Sequence, residues 1–229
     1  MIGDSVGFGV PMISPERLES MQGGWVRLLD RFGVTPAEAY PPFDALVAAY
    51  TAPDRHYHNL EHLGEMFRVA GRLAAHTEDA VAVQLAIWFH DAVYDPRAKD
   101  SEARSADLAT NLLGSVGIAP AIIEKVARLV LATAHLLATE PPTDRDVAVL
   151  LDADLAILGA SEERYRRYAA DIRREYAFVP EADYRTGRAG VLKKFLARSR
   201  IFLHQVMVDE GEERARTNLT AELRELGGA

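Results

Sequence analysis

The chain has 229 residues, 26 Lys plus Arg against 34 Asp plus Glu, a formal charge of −8 and 48% hydrophobic residues. That apolar share suffices for one large core, or a core with an extension, and excludes disordered, collagen-like and low-complexity chains. The absence of cysteine excludes disulfide scaffolds, thiolate metal sites, iron–sulfur clusters and cysteine nucleophiles, so any metal must be held by nitrogen and oxygen. The acidic balance argues against nucleic acid polymers and anionic membranes as partners, while leaving room for a local basic pocket that binds phosphate. Residues 1–13 include Asp4, lack a basic start and contain no long apolar run, so a flexible N-terminus on a cytoplasmic protein is expected.

Ser14-Pro15 predicts an N-cap followed by Pro at the first helical position, with Gly33 stopping that helix. Thr35 and Glu38 have capping-box spacing, but Pro41-Pro42 predicts an interruption, with a short helix resuming at Phe43. Over 59–76, Leu63, Met66, Phe67, Ala70 and Leu73 recur at helical spacing. Further helices are predicted over 77–89, 100–113 and 120–137, the last with the stripe Ile122, Ile123, Val126, Leu129 and Val130. After Pro141-Pro142, Thr143 and Asp146 have the spacing to cap a helix that runs to Leu158 and stops at Gly159. Ser161 can cap a helix through Tyr176, Pro180 marks a loop, and 188–208 reads as one long amphipathic helix. The segment 210–229 is expected to be a polar helix or tail that lies on the surface or frays. No stretch alternates with period two. The expected fold is all-α, a single-domain bundle of eight to ten helices over 14–209.

Histidines and carboxylates concentrate in a few places. Arg55-His56-Tyr57-His58-Asn59-Leu60-Glu61-His62 holds three histidines, His90-Asp91 ends an apolar helix, and His135 ends another. Asp152 and Asp154 stand inside the apolar run 147–158. Burying a carboxylate costs several kcal/mol unless it is paired or bound to a cation, and arginine partners are the alternative to a metal. A lone histidine on an apolar face is more often a hydrogen-bonded core residue than a ligand. Glu102 could position or deprotonate a water, or be a solvated residue beside Arg104. Arg55, Arg185, Arg188 and Lys193 could clamp phosphate, or be ordinary surface charges; only Arg55 stands beside the histidine cluster.

In combination, Arg55-x-Tyr57-His58-x-x-x-His62, Phe89-His90-Asp91-x-Val93-Tyr94, Asp100-x-Glu102-x-x-Ser105-Ala106 and a later Asp154 resemble the HD-domain superfamily of metal-dependent phosphohydrolases, over about 25–207. The helix end Thr133-Ala134-His135 and the block Tyr184–Arg188 are similar as well, while Ser101 stands where that bacterial branch tends to carry Asn. The resemblance implies His62, His90, Asp91 and Asp154 as metal ligands, with His58 the rival of His62 and Asp152 the rival of Asp154. Asp152 would otherwise hydrogen-bond a ligand histidine from behind. Glu102 and His135 are then the candidate catalytic residues, and Arg55, His58 and Arg188 the candidate substrate contacts. The cofactor would be a divalent cation (Mn, Fe, Co, Ni, Zn or Mg), and the partner a small phosphorylated substrate, an ester or anhydride, nucleotides included. Two other classes stay open: a di-iron HD-type oxygenase, with His58 and His135 serving a second ion, and a non-catalytic metal- or nucleotide-binding module. Oligomeric state is left open, a homodimer included.

Overall fold

A computed structural model describes residues 13–134 and 142–227. Its helices are α1 (Pro15–Asp30), α2 (Pro36–Tyr50), α3 (Leu60–Arg72), α4 (Ala80–Phe89), α5 (Ser101–Ser115), α6 (Pro120–Leu131), α7 (Arg145–Leu155), α8 (Glu162–Glu175), α9 (Glu181–Leu196), the single turn α10 (Gln205–Met207) and α11 (Glu213–Glu225). No strand occurs among the described residues, so the all-α class holds. None of the described helices is long and apolar enough to cross a membrane.

The core is organised around α4. Ala82, Val83, Leu85, Ala86, Ile87, Trp88 and Phe89 are all buried, and a helix apolar on every side is stable only at the centre of a bundle. α3, α6 and α7 pack directly on it, and α5 lies against α6. Trp88 stands edge-on to Trp25 (centroids 5.5 Å) and to Phe43 (5.7 Å), which docks α1 and α2 on the same centre.

Several boundaries differ from the sequence reading. α2 runs unbroken through Pro41 and Pro42. The amide hydrogens these prolines lack would have bonded the carbonyls of Ala37 and Glu38, which are exposed and can be hydrated. The first turn is held by the Thr35–Glu38 capping box, and Trp25 Nε1 donates to Ala39 O at 2.8 Å. α6 ends at Leu131, short of residue 137, and His135 lies outside the described residues. The cap of α7 is Asp144, which accepts from the amides of Asp146 and Val147, and not Thr143. Asp146 is buried and accepts from the amides of Glu78 and Asp79 (2.7 and 3.0 Å), with Lys125 Nζ at 2.7 Å. The long helix expected over 188–208 is instead α9, starting at Glu181, followed by a loop, α10 and a π-helical turn over Val208–Glu212. Of the flexible segment expected over 1–13, residues 1–12 lie outside the described residues, while Ile13 packs against the core.

The tail is a packed helix. α11 buries Ala215, Asn218, Leu219 and Glu222 against α9 and the 3-10 turn Ala156–Gly159. Asn218 Nδ2 donates to the carbonyls of Leu158 and Ala160 (2.9 and 3.0 Å). A Cβ at Gly159 would lie 2.9 Å from the Gly211 carbonyl, so the π turn can sit against this segment only because position 159 is glycine.

Asp146→Ala would leave two amides and an ammonium without their buried partner. It is expected to lower unfolding free energy by about 2–3 kcal/mol, as measured by urea denaturation.

Candidate metal centre

Four of the sequence candidates converge in space. Asn59 caps α3, its Oδ1 accepting from the amides of Glu61 (2.8 Å) and His62 (3.4 Å), and thereby sets the first turn that carries the His62 ring inward. His90 continues the ladder of α4, its amide bonded to Ala86 O at 2.9 Å, so the central helix delivers His90 and Asp91 together. Asp154 comes from the last turn of α7. His62 and His90 are 2% and 1% exposed, and their Nε2 atoms face each other at 3.2 Å.

The carboxylates close around this pair. Asp91 Oδ2 is 3.0 Å from His90 Nε2, and Asp154 Oδ1 is 3.2 Å from His62 Nε2 and 3.8 Å from His90 Nε2. One ligand atom each from His62, His90 and Asp91 all lie within 4.8 Å of one another, a group that could hold a metal ion. Bonds of about 2.1 Å to a cation place neighbouring ligands about 3.0 Å apart in an octahedron and about 3.4 Å apart in a tetrahedron, close to these spacings. His90 Nδ1 is 2.9 Å from Ile87 O, which makes Nδ1 a donor, so that in the neutral ring the Nε2 lone pair is aimed at the cluster. The local field favours positive charge. Burial disfavours protonation of His90, yet Asp91 and Asp154 outweigh it and raise its pKa to about 9. Burial dominates at His62 and lowers its pKa.

Two buried charges, on residues 55 and 175, build the frame. Arg55 is 5% exposed and donates to His58 O (3.1 Å), Asp91 O (2.7 Å) and Ala92 O (3.0 Å), with its guanidinium over the rings of Tyr50 and Tyr94. The expected phosphate contact is instead a strut that joins the first histidine segment to the His-Asp doublet. Glu175, from α8, accepts from the amides of His56, Tyr57 and His58 at 2.9, 2.7 and 3.0 Å, and its other oxygen lies 2.6 Å from His58 Nδ1. Burial opposes its ionisation, but His58 and these amides hold its pKa down to about 2. His58 stacks on Tyr94 (centroids 4.1 Å) and turns Nε2 towards Asp91, 3.9 Å from Oδ2. It stands beside the cluster, four residues before His62.

The other candidates are placed elsewhere. Asp152 accepts from the amides of Leu203 (2.7 Å) and His204 (2.8 Å) and pairs with His204 Nδ1 at 2.8 Å. Its histidine partner is therefore in the 201–204 loop and is not a cluster residue, because residues two apart on α7 point to different sides. Arg188 makes a bidentate pair with Glu222 (2.7 and 3.0 Å) that ties α9 to α11, and Arg185 donates to Glu225 O. Lys193 is exposed on α9. Glu102 is half-buried in the first turn of α5, outside the cluster of ligand atoms. On the same helix Ser105 Oγ both donates to Val93 O and accepts from Val93 N at 3.0 Å, which fastens the chain just after the doublet.

The sequence reading missed Glu175. The signal was present: Tyr165, Tyr168, Ile172 and Glu175 are the buried residues of α8 and recur on one face, so the helical period alone marks this glutamate as inward. No family model, curated protein or solved structure matches the chain.

Asp154→Asn is expected to abolish binding of a divalent cation, whereas Asp152→Asn is expected to keep it and to lower unfolding free energy by about 1–3 kcal/mol. Metal titration and urea denaturation of the two variants check this pair of outcomes. Glu175 has a folded pKa of about 2 against 4.5 for the free side chain, so its ionised form stabilises the fold above pH 4.5 and that contribution is lost as pH falls towards 2. Glu175→Ala should therefore cost about 3 kcal/mol at pH 6, with the gap to wild type narrowing steadily on acidification below pH 4.5.

Proposed function

We propose that the protein is a metal-dependent phosphohydrolase of the HD-domain type, acting on a small phosphate ester or anhydride. The observation that carries this reading is the convergence of His62, His90 and Asp91 on ligand atoms within 4.8 Å of one another, with Asp154 Oδ1 3.2 and 3.8 Å from the two imidazoles. The motif resemblance, carried by these same residues, supports the same reading. Two imidazoles and two carboxylates suit a first-row divalent cation or Mg, and four ligands on a six-coordinate ion leave two positions for substrate and water. When bound, such an ion supplies a nucleophile at neutral pH and neutralises charge that develops on a phosphoryl group.

The chain's own residues have distinct tasks in this scheme. Asp91 and Asp154 provide the negative charge that draws the cation in. Ile87 O, through Nδ1, keeps His90 in the tautomer that can bind it. Glu175 orients His58, whose Nε2 faces Asp91 from outside the cluster, where it can hand a proton to or take one from a bound substrate oxygen. Tyr57 and Tyr94, packed on His62 and His58, keep bulk water from these groups and so strengthen each of these interactions.

Elemental analysis of protein purified without chelator should find about one divalent transition metal per chain, and a panel of phosphate esters should be hydrolysed only with the metal present. Asp91→Ala should lose both the metal and its contribution to thermal stability. Two irons per chain with no hydrolysis of any phosphate would overturn the hydrolase reading in favour of an oxygenase.

A further inference from the structure

A cleft of about 210 Å³ opens directly beside His62 and Asp154, between α3, the segment 153–160 and the C-terminal π turn and α11. Its floor is made of small residues, Ala153, Ala156, Gly159 and Ala160, which leave the space open. Four arginines line it, Arg68, Arg72, Arg164 and Arg214, against three carboxylates, Glu65, Asp154 and Glu210. This local positive excess stands out in a chain whose formal charge is −8, and a divalent ion would add to it.

The arginines divide by what they touch. Arg164 is held by a bidentate pair with Glu65 at 2.9 and 2.9 Å, and Arg72 pairs with Glu210 across the mouth. Arg214 uses only its Nε, on Gly159 O at 2.9 Å, and its two terminal nitrogens have no protein partner among the described residues. Arg68 is exposed on the cleft and pairs with no carboxylate among the described residues. The inner wall is Tyr57, whose ring lies on His62 (centroids 4.8 Å) and whose buried hydroxyl has no hydrogen-bond partner among the described residues. Six positions along α3 separate Arg68 from His62, about 9 Å of helix.

We propose that this cleft receives a second anionic group of the substrate, held by Arg68 and Arg214, so that the substrate is a compact phosphate ester bearing a further phosphate or carboxylate. The inference rests on the phosphohydrolase reading for the reaction, and on the cleft alone for selectivity. The volume equals about seven waters at ~30 Å³ each and falls below the ~300–1,000 Å³ of sites for drug-sized ligands, which favours a small polyanion over a bulky one. Arginine suits this task because its planar fork binds phosphate or carboxylate bidentately.

The test compares the metal-loaded wild type with Arg68→Glu and with Arg167→Glu, a charge change on an exposed position of α8 away from the cleft. Fructose 1,6-bisphosphate, 3-phosphoglycerate and p-nitrophenyl phosphate serve as probes with two phosphates, a phosphate and a carboxylate, and a single phosphate. The ratio of kcat/KM for the better probe with two anionic groups over p-nitrophenyl phosphate should fall by about tenfold or more in Arg68→Glu, chiefly through KM, and stay unchanged in Arg167→Glu. An unchanged ratio in Arg68→Glu overturns the assignment of the cleft while leaving the hydrolase reading intact. Calorimetric titration with fructose 1,6-bisphosphate separates the remaining case. If no probe is hydrolysed but binding is seen and is lost in Arg68→Glu, the cleft assignment stands and the reaction assigned to the metal centre falls; absence of binding as well as hydrolysis overturns both.

Discussion

The candidate metal centre depends on keeping a buried arginine and a buried glutamate satisfied by backbone atoms. Arg55 gives its hydrogens to three carbonyls on two segments, and Glu175 takes three consecutive amides plus an imidazole. An isolated charge in this interior would cost several kcal/mol, so each charge stays only where its whole set of partners is present. That requirement locks the loop 55–58 against both the His-Asp doublet and α8. The loop has no regular structure to hold it otherwise, and it leads directly into the Asn59 cap and His62.

The arrangement divides labour between elements. The apolar central helix sets the depth of His90 and Asp91, since seven of its ten residues are buried and it cannot shift without exposing them. α3 and α7, packed together on that helix, bring His62 and Asp154 to it from one side. α8, polar on most of its surface, contributes a single inward glutamate that organises the opposite rim. Candidate ligands His62 and Asp154 thus sit on helices, His90 caps α4 and Asp91 follows it in a turn, while the polar frame fixes the loop 55–58.

The C-terminal third serves the cleft beside that centre. Arg188 and Glu222 form an ion pair between α9 and α11, and Tyr165 donates to the same carboxylate at 2.5 Å. This pairing places α11 and the π turn against the 3-10 turn after Asp154, with Gly159 and Gly211 allowing the close approach. Local widening into a π turn is a recurrent feature of helices at binding sites, and here it brings Glu210 over the cleft to meet Arg72.

The all-helical class, the main helix caps and the inward stripes were legible because they depend on residues three or four positions apart, within reach of one another on a single helix. The Ser14, Thr35 and Ser161 caps are of this kind, as is the placing of His90-Asp91 and Asp154 on segments too apolar to lie at the surface. Pro41-Pro42 was misleading because a local rule for helix breaking was outweighed by the burial of Phe43, Leu46 and Tyr50 on the same helix, with the freed carbonyls left to solvent. The partners of the charged residues were beyond the sequence. Arg55, Asp152 and Arg188 each have chemistry that fits phosphate, metal or protein equally well, and only the approach of segments far apart in the chain selects among these. Glu175 reaches His58 across 117 positions, and no periodicity encodes that contact. The sequence by itself determined which helices form and which of their faces turn inward, because those are short-range preferences and solvent exclusion; the tertiary structure alone decided which buried charge meets which, because that pairing is a long-range electrostatic choice made only when the helices dock.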